Sequence, residues 1–181
     1  MATWVCLLRA VNVGGRNKVP MAQLRDVLSS DGFADVRTYV QSGNVVLTSS
    51  LRSPHKVSEA VRDAIAREFN VDTPVVVRTP AQLQAIVEWN PFPDVADEAP
   101  QRVHIVHLTD VPSDEAISAL LTADWAPELL SVKGTELAIC YFESMHTSKL
   151  QYAVALKRLG VDGTARNWRT VQTLADMSSG I

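Results

Sequence analysis

Residues 10–21 read AVNVGGRNKVPM: two adjacent glycines, then an arginine, an asparagine and a lysine, closed by Val-Pro. Backbone amides made accessible by glycine, with basic side chains beside them, are the materials of an anion site. Spacing excludes the standard nucleotide motifs. A P-loop needs G-x-x-x-x-G-K-[ST] and a dinucleotide-binding turn needs G-x-G-x-x-G, and neither occurs. What remains is Arg9, Asn12, Gly14, Gly15, Arg16, Asn17 and Lys18 before a helix expected to start at Pro20. Val19, ahead of that proline, has no side-chain oxygen to cap the helix. The first helical amides are therefore expected to be open to an outside acceptor. A turn that needs glycine φ angles, carrying solvated charges, explains the same residues without a ligand.

Two other stretches carry polar groups that could join the loop. QSGN supplies Gln41, Ser42 and Asn44; it is ordinary turn chemistry, placed at the end of a hairpin. GTARNWRT supplies Arg166, Asn167 and Arg169 on a helix expected to be capped by Thr164, with Lys149 starting the helix before it. A solvated helix face is one reading of these arginines. An arginine pair holding a phosphate or carboxylate is the other. Whether residues 12–18 and 163–170 form one site is left open by the sequence.

Other chemistry lacks its residues. His104 and His107 are three apart in a strand, so they face opposite sides and cannot share a metal. C-x-x-C, H-E-x-x-H and G-x-S-x-G are missing, and no metal site or cofactor is expected. The acids at 94–98 are expected to solvate a loop. Cys6 and Cys140 sit in apolar strand-like runs and read as buried thiols, not as a disulfide.

The elements around these residues follow from periodicity. Residues 4–11 are apolar on both alternating sets, which marks a central strand covered on both faces. Met21, Leu24, Val27 and Leu28 recur at helical spacing up to Gly32. Residues 35–48 read as a hairpin. A helix opened by Ser53 and Pro54 carries the stripe Val57, Val61, Ile65 and Phe69. TPVVVRT is a short strand whose Pro74 places it at an edge. The order β-α-β-β-α-β over residues 1–78 is the ferredoxin-like signature. Thr79 and Pro80 open another helix, and EWNPFPDVADEAPQ reads as an acidic, proline-rich linker. Beyond it the order partly repeats: strand RVHIVHL, a helix capped by Ser113, a hairpin turning at Lys133-Gly134, and the helix SKLQYAVALKRLG. A last helix over ARNWRTVQTLADM takes the place of the fourth strand. The expected fold is α+β, two tandem ferredoxin-like (βαββαβ-type) halves packed together. The expected boundaries are 1–80 for the first half, 81–101 for the helix and linker, and 102–181 for a second half ending in two helices. The repeat is one of element order, without residue-level self-similarity.

Charge is spread unevenly: +3 over residues 1–80, -8 over 81–130 and +2 over 131–181. A bulk polyanion binder is usually more basic overall. RNA stacking on a ferredoxin-like sheet needs aromatics on the central strands, and those strands offer only Trp4. No apolar run approaches the roughly 20 residues of a spanning helix. The N-terminal stretch reads as a strand and not as a signal peptide, so the chain is expected to be cytoplasmic and without a membrane partner.

LLRAVNVGGRNKVPMAQLRDVL, GFADVRTYVQSGNVVL, NPF, SKL and TARNWRTV together resemble the domain of unknown function 1697 family, over essentially the whole chain. The resemblance implies a bacterial protein with duplicated ferredoxin-like α+β halves. It supplies no activity and no catalytic residue. YFESMHTSKL departs from the pattern by lacking a glycine before Ser-Lys-Leu. The leading expectation is a protein that binds a small anionic ligand, a nucleotide or phosphorylated metabolite, at the Gly14-Gly15 loop. A nucleic-acid-associated protein using the basic chain ends, and a non-catalytic partner-binding protein, are the alternatives. The reaction, if any, and the oligomeric state stay open.

Overall fold

The computed structural model describes residues 1–180. The chain forms two units: Met1–Ala85 together with the residues from Thr173 on, and Ile86–Gln172. It is a mixed α+β protein with two four-stranded antiparallel sheets and seven helices among the described residues. Among these residues no helix is long and apolar enough to cross a membrane.

The first set of elements runs β1 (Ala2–Leu8), α1 (Met21–Ser30), β2 (Ala34–Tyr39), β3 (Asn44–Ser49), α2 (Pro54–Phe69), β4 (Val75–Arg78) and α3 (Pro80–Trp89). Its sheet order is β2-β3-β1-β4. β1 is central, as its two-faced apolar pattern requires, and β4 lies at an edge, where Pro74 leaves no ladder amide missing. One face of β1, β3 and β4 (Trp4, Cys6, Leu8, Val45, Leu47, Val75 and Val77) packs with Leu24 and Leu28 of α1 and Val57, Val61 and Ile65 of α2. The other face is also buried, with Val5, Leu7 and Val46 at 0% exposure. Trp4 belongs to this core and donates its indole N–H to Leu51 O at 3.2 Å, so it is no stacking platform. β2, at the other edge, is interrupted by a register shift between Ala34 and Arg37, with Asp35 at φ 50°.

The second set repeats the first: β5 (Val103–Leu108), α5 (Asp114–Thr122), β6 (Leu129–Lys133), β7 (Glu136–Cys140), α6 (Tyr152–Leu159), β8 (Gly163–Asn167) and α7 (Trp168–Ser179), with sheet order β6-β7-β5-β8. Residues 163–167 are therefore a fourth strand, which corrects the helix expected from residue 165. Five consecutive pairings with β5, from His104 with Asn167 to Leu108 with Gly163, outweigh the local helical signal. Thr164 is accordingly no cap. Asn167 caps α7, its Oδ1 accepting from Thr170 N at 2.9 Å. Within the expected linker, Pro93–Glu98 form a short helix, α4, and Pro100–Arg102 a 3-10 turn, each started by a proline that fits a first helical position. Ser148–Leu150 precede α6, so Lys149 lies in a loop.

The repeat extends to residues, contrary to the expectation from sequence. Val5 pairs with Arg78 in one sheet, and Ile105 pairs with Arg166 in the other. Each arginine is 6% exposed and directly precedes the residue that caps the next helix. At Thr79 that cap is reciprocal: Oγ1 accepts from Gln82 N at 3.1 Å and Gln82 Oε1 accepts from Thr79 N at 2.8 Å. Where the first sheet pairs Leu7 with Asn44, the second pairs His107 with Glu136, and His107 Nδ1 lies 2.7 Å from Glu136 Oε2. His104, on the other face of β5, meets Tyr141 edge-on at 5.3 Å.

Burial pushes the Cys6 thiol up to about 12, and burial followed by the charge of Glu128 raises that of Cys140. Both cysteines are free. In the native protein at pH 8 neither is expected to react with a disulfide reagent within minutes, whereas both react in denaturant; a fast native thiol would contradict the packing. Burial also lowers the pKa of His104 from its ordinary 6.5. The unfolded chain then takes this proton first, so the His104 contribution is intact above pH 6.5 and is lost as pH falls below it. Urea unfolding at pH 7.5 and 5.5 is expected to show a smaller acid loss for His104→Gln than for the native chain.

Candidate functional site

The connection from β1 to α1 spans residues 9–20, and it doubles back on itself. Asn12 N donates to Asn17 O at 3.0 Å, Arg16 N donates to Val13 O at 3.1 Å, and Asn17 Nδ2 donates to Ala10 O at 3.1 Å. Gly14 and Gly15 occupy the turn at φ 57° and 75°, a region open to glycine without steric cost. Asn12 and Asn17 also have positive φ, which asparagine tolerates better than most residues. Val11 and Val19, at the two ends of this excursion, are 1% and 0% exposed and join the α1–α2 core.

The Asn12 carboxamide is the central tie. Its Oδ1 accepts from Val19 N at 2.8 Å; its Nδ2 donates to Val19 O at 2.9 Å and to Gln41 O at 2.8 Å. The residue thus closes the loop and fastens it to the β2–β3 hairpin tip. The expectation of open amides at the helix start changes in one detail. Val19 N is taken by Asn12, while Pro20 forms the N-cap in extended backbone (ψ 119°) and no side chain caps α1.

The hairpin tip is held from below by a close backbone approach. Leu8 N donates to Gly43 O at 2.8 Å. A β-carbon at Gly43 would fall 2.6 Å from Val11 Cγ2 and 2.8 Å from Leu8 Cβ, and its φ is 84°. Asn44 is fully buried, with Nδ2 on Tyr39 O at 2.9 Å and on Ser42 Oγ at 3.1 Å.

The sequence candidates therefore divide by role. Asn12, Asn17 and Asn44 hold the backbone. Arg9 is half-buried; its amide donates to Pro74 O and its carbonyl accepts from Thr73 Oγ1. Gly14, Gly15, Arg16, Lys18, Gln41 and Ser42 are exposed at the joined loop and tip. Neither Arg16 nor Lys18 is in an ion pair among the described residues. Residues 163–170 belong to the other unit. There Arg166 is buried, with Nη1 2.8 Å from both Thr164 Oγ1 and Ala165 O, and desolvation lowers its pKa to about 10. Asn167 is the α7 cap, and Arg169 is exposed. No group of three His, Cys, Asp or Glu among the described residues is placed to hold a metal ion.

The sequence reading missed the Asn12 clamp, the constraint at Gly43 and two exposed valines. Val13 is 64% exposed and Val40, at φ 50°, is 50% exposed. A bulky β-branched residue in left-handed backbone costs about 1–2 kcal/mol.

Residues 1–137 match the family described as a protein of unknown function (DUF1697), and the chain belongs to that family. Its fold is similar to that of a conserved bacterial protein, SP0830, from Streptococcus pneumoniae. The two share 24% identity with a TM-score of 0.77, over 99% of each chain. No curated protein matches the sequence.

Removing the clamp tests its role. Asn12→Ala deletes three hydrogen bonds and places alanine at φ 55°, and is expected to lower unfolding free energy by about 2–3 kcal/mol. Asn12→Asp keeps the acceptor and is expected to lose less in the same urea titration.

Proposed function

We propose that this protein binds a small anionic ligand, a nucleotide or phosphorylated metabolite, at the exposed tip of the Gly14-Gly15 loop, on a scaffold of two ferredoxin-like halves. The scaffold reading is supported by the β-α-β-β-α-β order and the matching strand orders of both sheets. One observation carries the functional reading. The link from first strand to first helix takes residues 109–113 in the second unit but residues 9–20 in the first. Both links carry Val-Pro near the helix start, Val19-Pro20 in the first and Val111-Pro112 followed by the Ser113 cap in the second. Connecting these two elements therefore needs only about five residues. The excess in the first unit is the glycine-rich, basic segment, and a loop longer than its connection requires, fixed at its base and charged at its tip, is where binding groups are carried.

Arg16 and Lys18 supply charge. The loop holds no acid to neutralise it, since the first Asp or Glu of the chain is Asp26. Amides around Gly14 and Gly15 supply donors without side-chain obstruction. Gln41 and Ser42 add neutral donors and acceptors from the tip fastened by Asn12.

Thermal shift with nucleotides and phosphorylated metabolites tests the reading. A ligand at a hundred times its Kd is expected to add about 2.7 kcal/mol. Arg16→Ala/Lys18→Ala is expected to abolish that gain while leaving the ligand-free melting temperature unchanged. The absence of any shift at millimolar ligand, or an equal shift in the double variant, overturns it. Retention on RNA that falls steeply with salt, with no small-ligand shift, would instead favour a nucleic-acid partner.

A further inference from the structure

We infer that the anion taken by the loop carries an apolar, planar body, as a nucleoside phosphate does and a bare phosphate or sugar phosphate does not; this rests on the reading just given. Apart from Met1, the exposed large hydrophobic side chains among the described residues of the first unit are Val13 and Val40. They are far apart in sequence, yet each is one residue from the Asn12 Nδ2–Gln41 O bond. The clamp therefore sets both valines beside the exposed basic groups at one tip.

Folding does not explain them. Along the loop Val11 and Val19 are buried in the core, while Val13 between them is held out at 64% exposure. Val40 is a sharper case. It occupies left-handed backbone at φ 50°, unfavourable for a β-branched residue, yet stays 50% exposed and joins no core cluster. Asparagine or glycine would serve such a turn position at less strain. Strain kept at a residue left half exposed and outside the core points to a contact the side chain makes outside the fold. Ligand sites combine apolar contacts for the body of the molecule with a few polar groups that fix its orientation. Here the apolar contacts are Val13 and Val40 and the anchoring charges are Arg16 and Lys18. A nucleobase resting on the valines, with its phosphate at the two cations, uses both sets; a sugar phosphate uses only the second.

The test compares inorganic phosphate, ribose 5-phosphate and adenosine 5′-monophosphate by isothermal titration of the full chain, native and Val13→Ser/Val40→Ser. Adenosine 5′-monophosphate is expected to bind at least tenfold more tightly than ribose 5-phosphate to the native protein. The valine double variant is expected to reduce that ratio to near one with ribose 5-phosphate binding unchanged. Its far-ultraviolet circular dichroism and melting temperature report that the fold is kept. Equal affinities in the native protein, a ratio that survives the double substitution, or a parallel loss of ribose 5-phosphate binding each overturn the inference while leaving the anion reading in place. If none of the three compounds binds, the anion reading falls and this inference with it.

Discussion

An amide at position 8 and a carbonyl at position 43 meet at 2.8 Å, with no room between the segments for a β-carbon on the glycine. Around this contact the first unit is organised. It brings the end of the central strand under the hairpin tip, which puts Gln41 O within reach of Asn12. The same bond recurs in the second unit, from Leu108 N to Thr135 O at 2.8 Å. A neighbouring one, Arg9 N to Pro74 O, recurs as Thr109 N to Asp162 O. The two units share this frame of backbone bonds and differ in what they build on it: a short connection in one, a clamped basic loop in the other.

Comparing the two sheets also shows which side chains the shared frame demands. Arg78 and Arg166 occupy matching pairings, and Thr79 and Asn167 cap matching helices. Unmatched positions are more informative about divergence. Leu7 and Asn44 are replaced by His107 and Glu136, a pair in contact and almost wholly buried. Taking two such groups from water is favourable only when each satisfies the other and their remaining hydrogen-bonding needs are met nearby. Removing only one member of this pair would leave the other buried and uncompensated.

Legibility followed the range of the interactions. β1, the hairpin and α2 were readable because their alternation or helical stripe is local and strong: Trp4, Cys6 and Leu8 in one case, Val57, Val61 and Ile65 in the other. The strand at 163–167 was not, because its five residues carry Thr, Arg and Asn and the signal for pairing lies on β5, some sixty residues earlier. The loop was singled out by composition, but the parts played within it were not. Nothing local distinguishes Asn12, which fastens two segments, from Asn17, which closes one. Asn44 reads as ordinary turn chemistry, yet it is 0% exposed and spends its amide on Tyr39 O and Ser42 Oγ. The arginines of residues 163–170 were assigned to a helix face, and burial in a strand gives Arg166 a different role.

The clamp at Asn12 has an evolutionary consequence. Its three hydrogen bonds reach Val19 and Gln41, and none reaches residues 13–16. The core side of the loop ends at Val11 and resumes at Val19. The residues that hold the fold and the exposed residues of the tip are thereby separate letters of one short segment. At the apex Val13 and Arg16 are exposed and outside the core, so they can be exchanged with little disturbance to the fold beneath them, whereas Gly14 and Gly15 are kept by their positive φ.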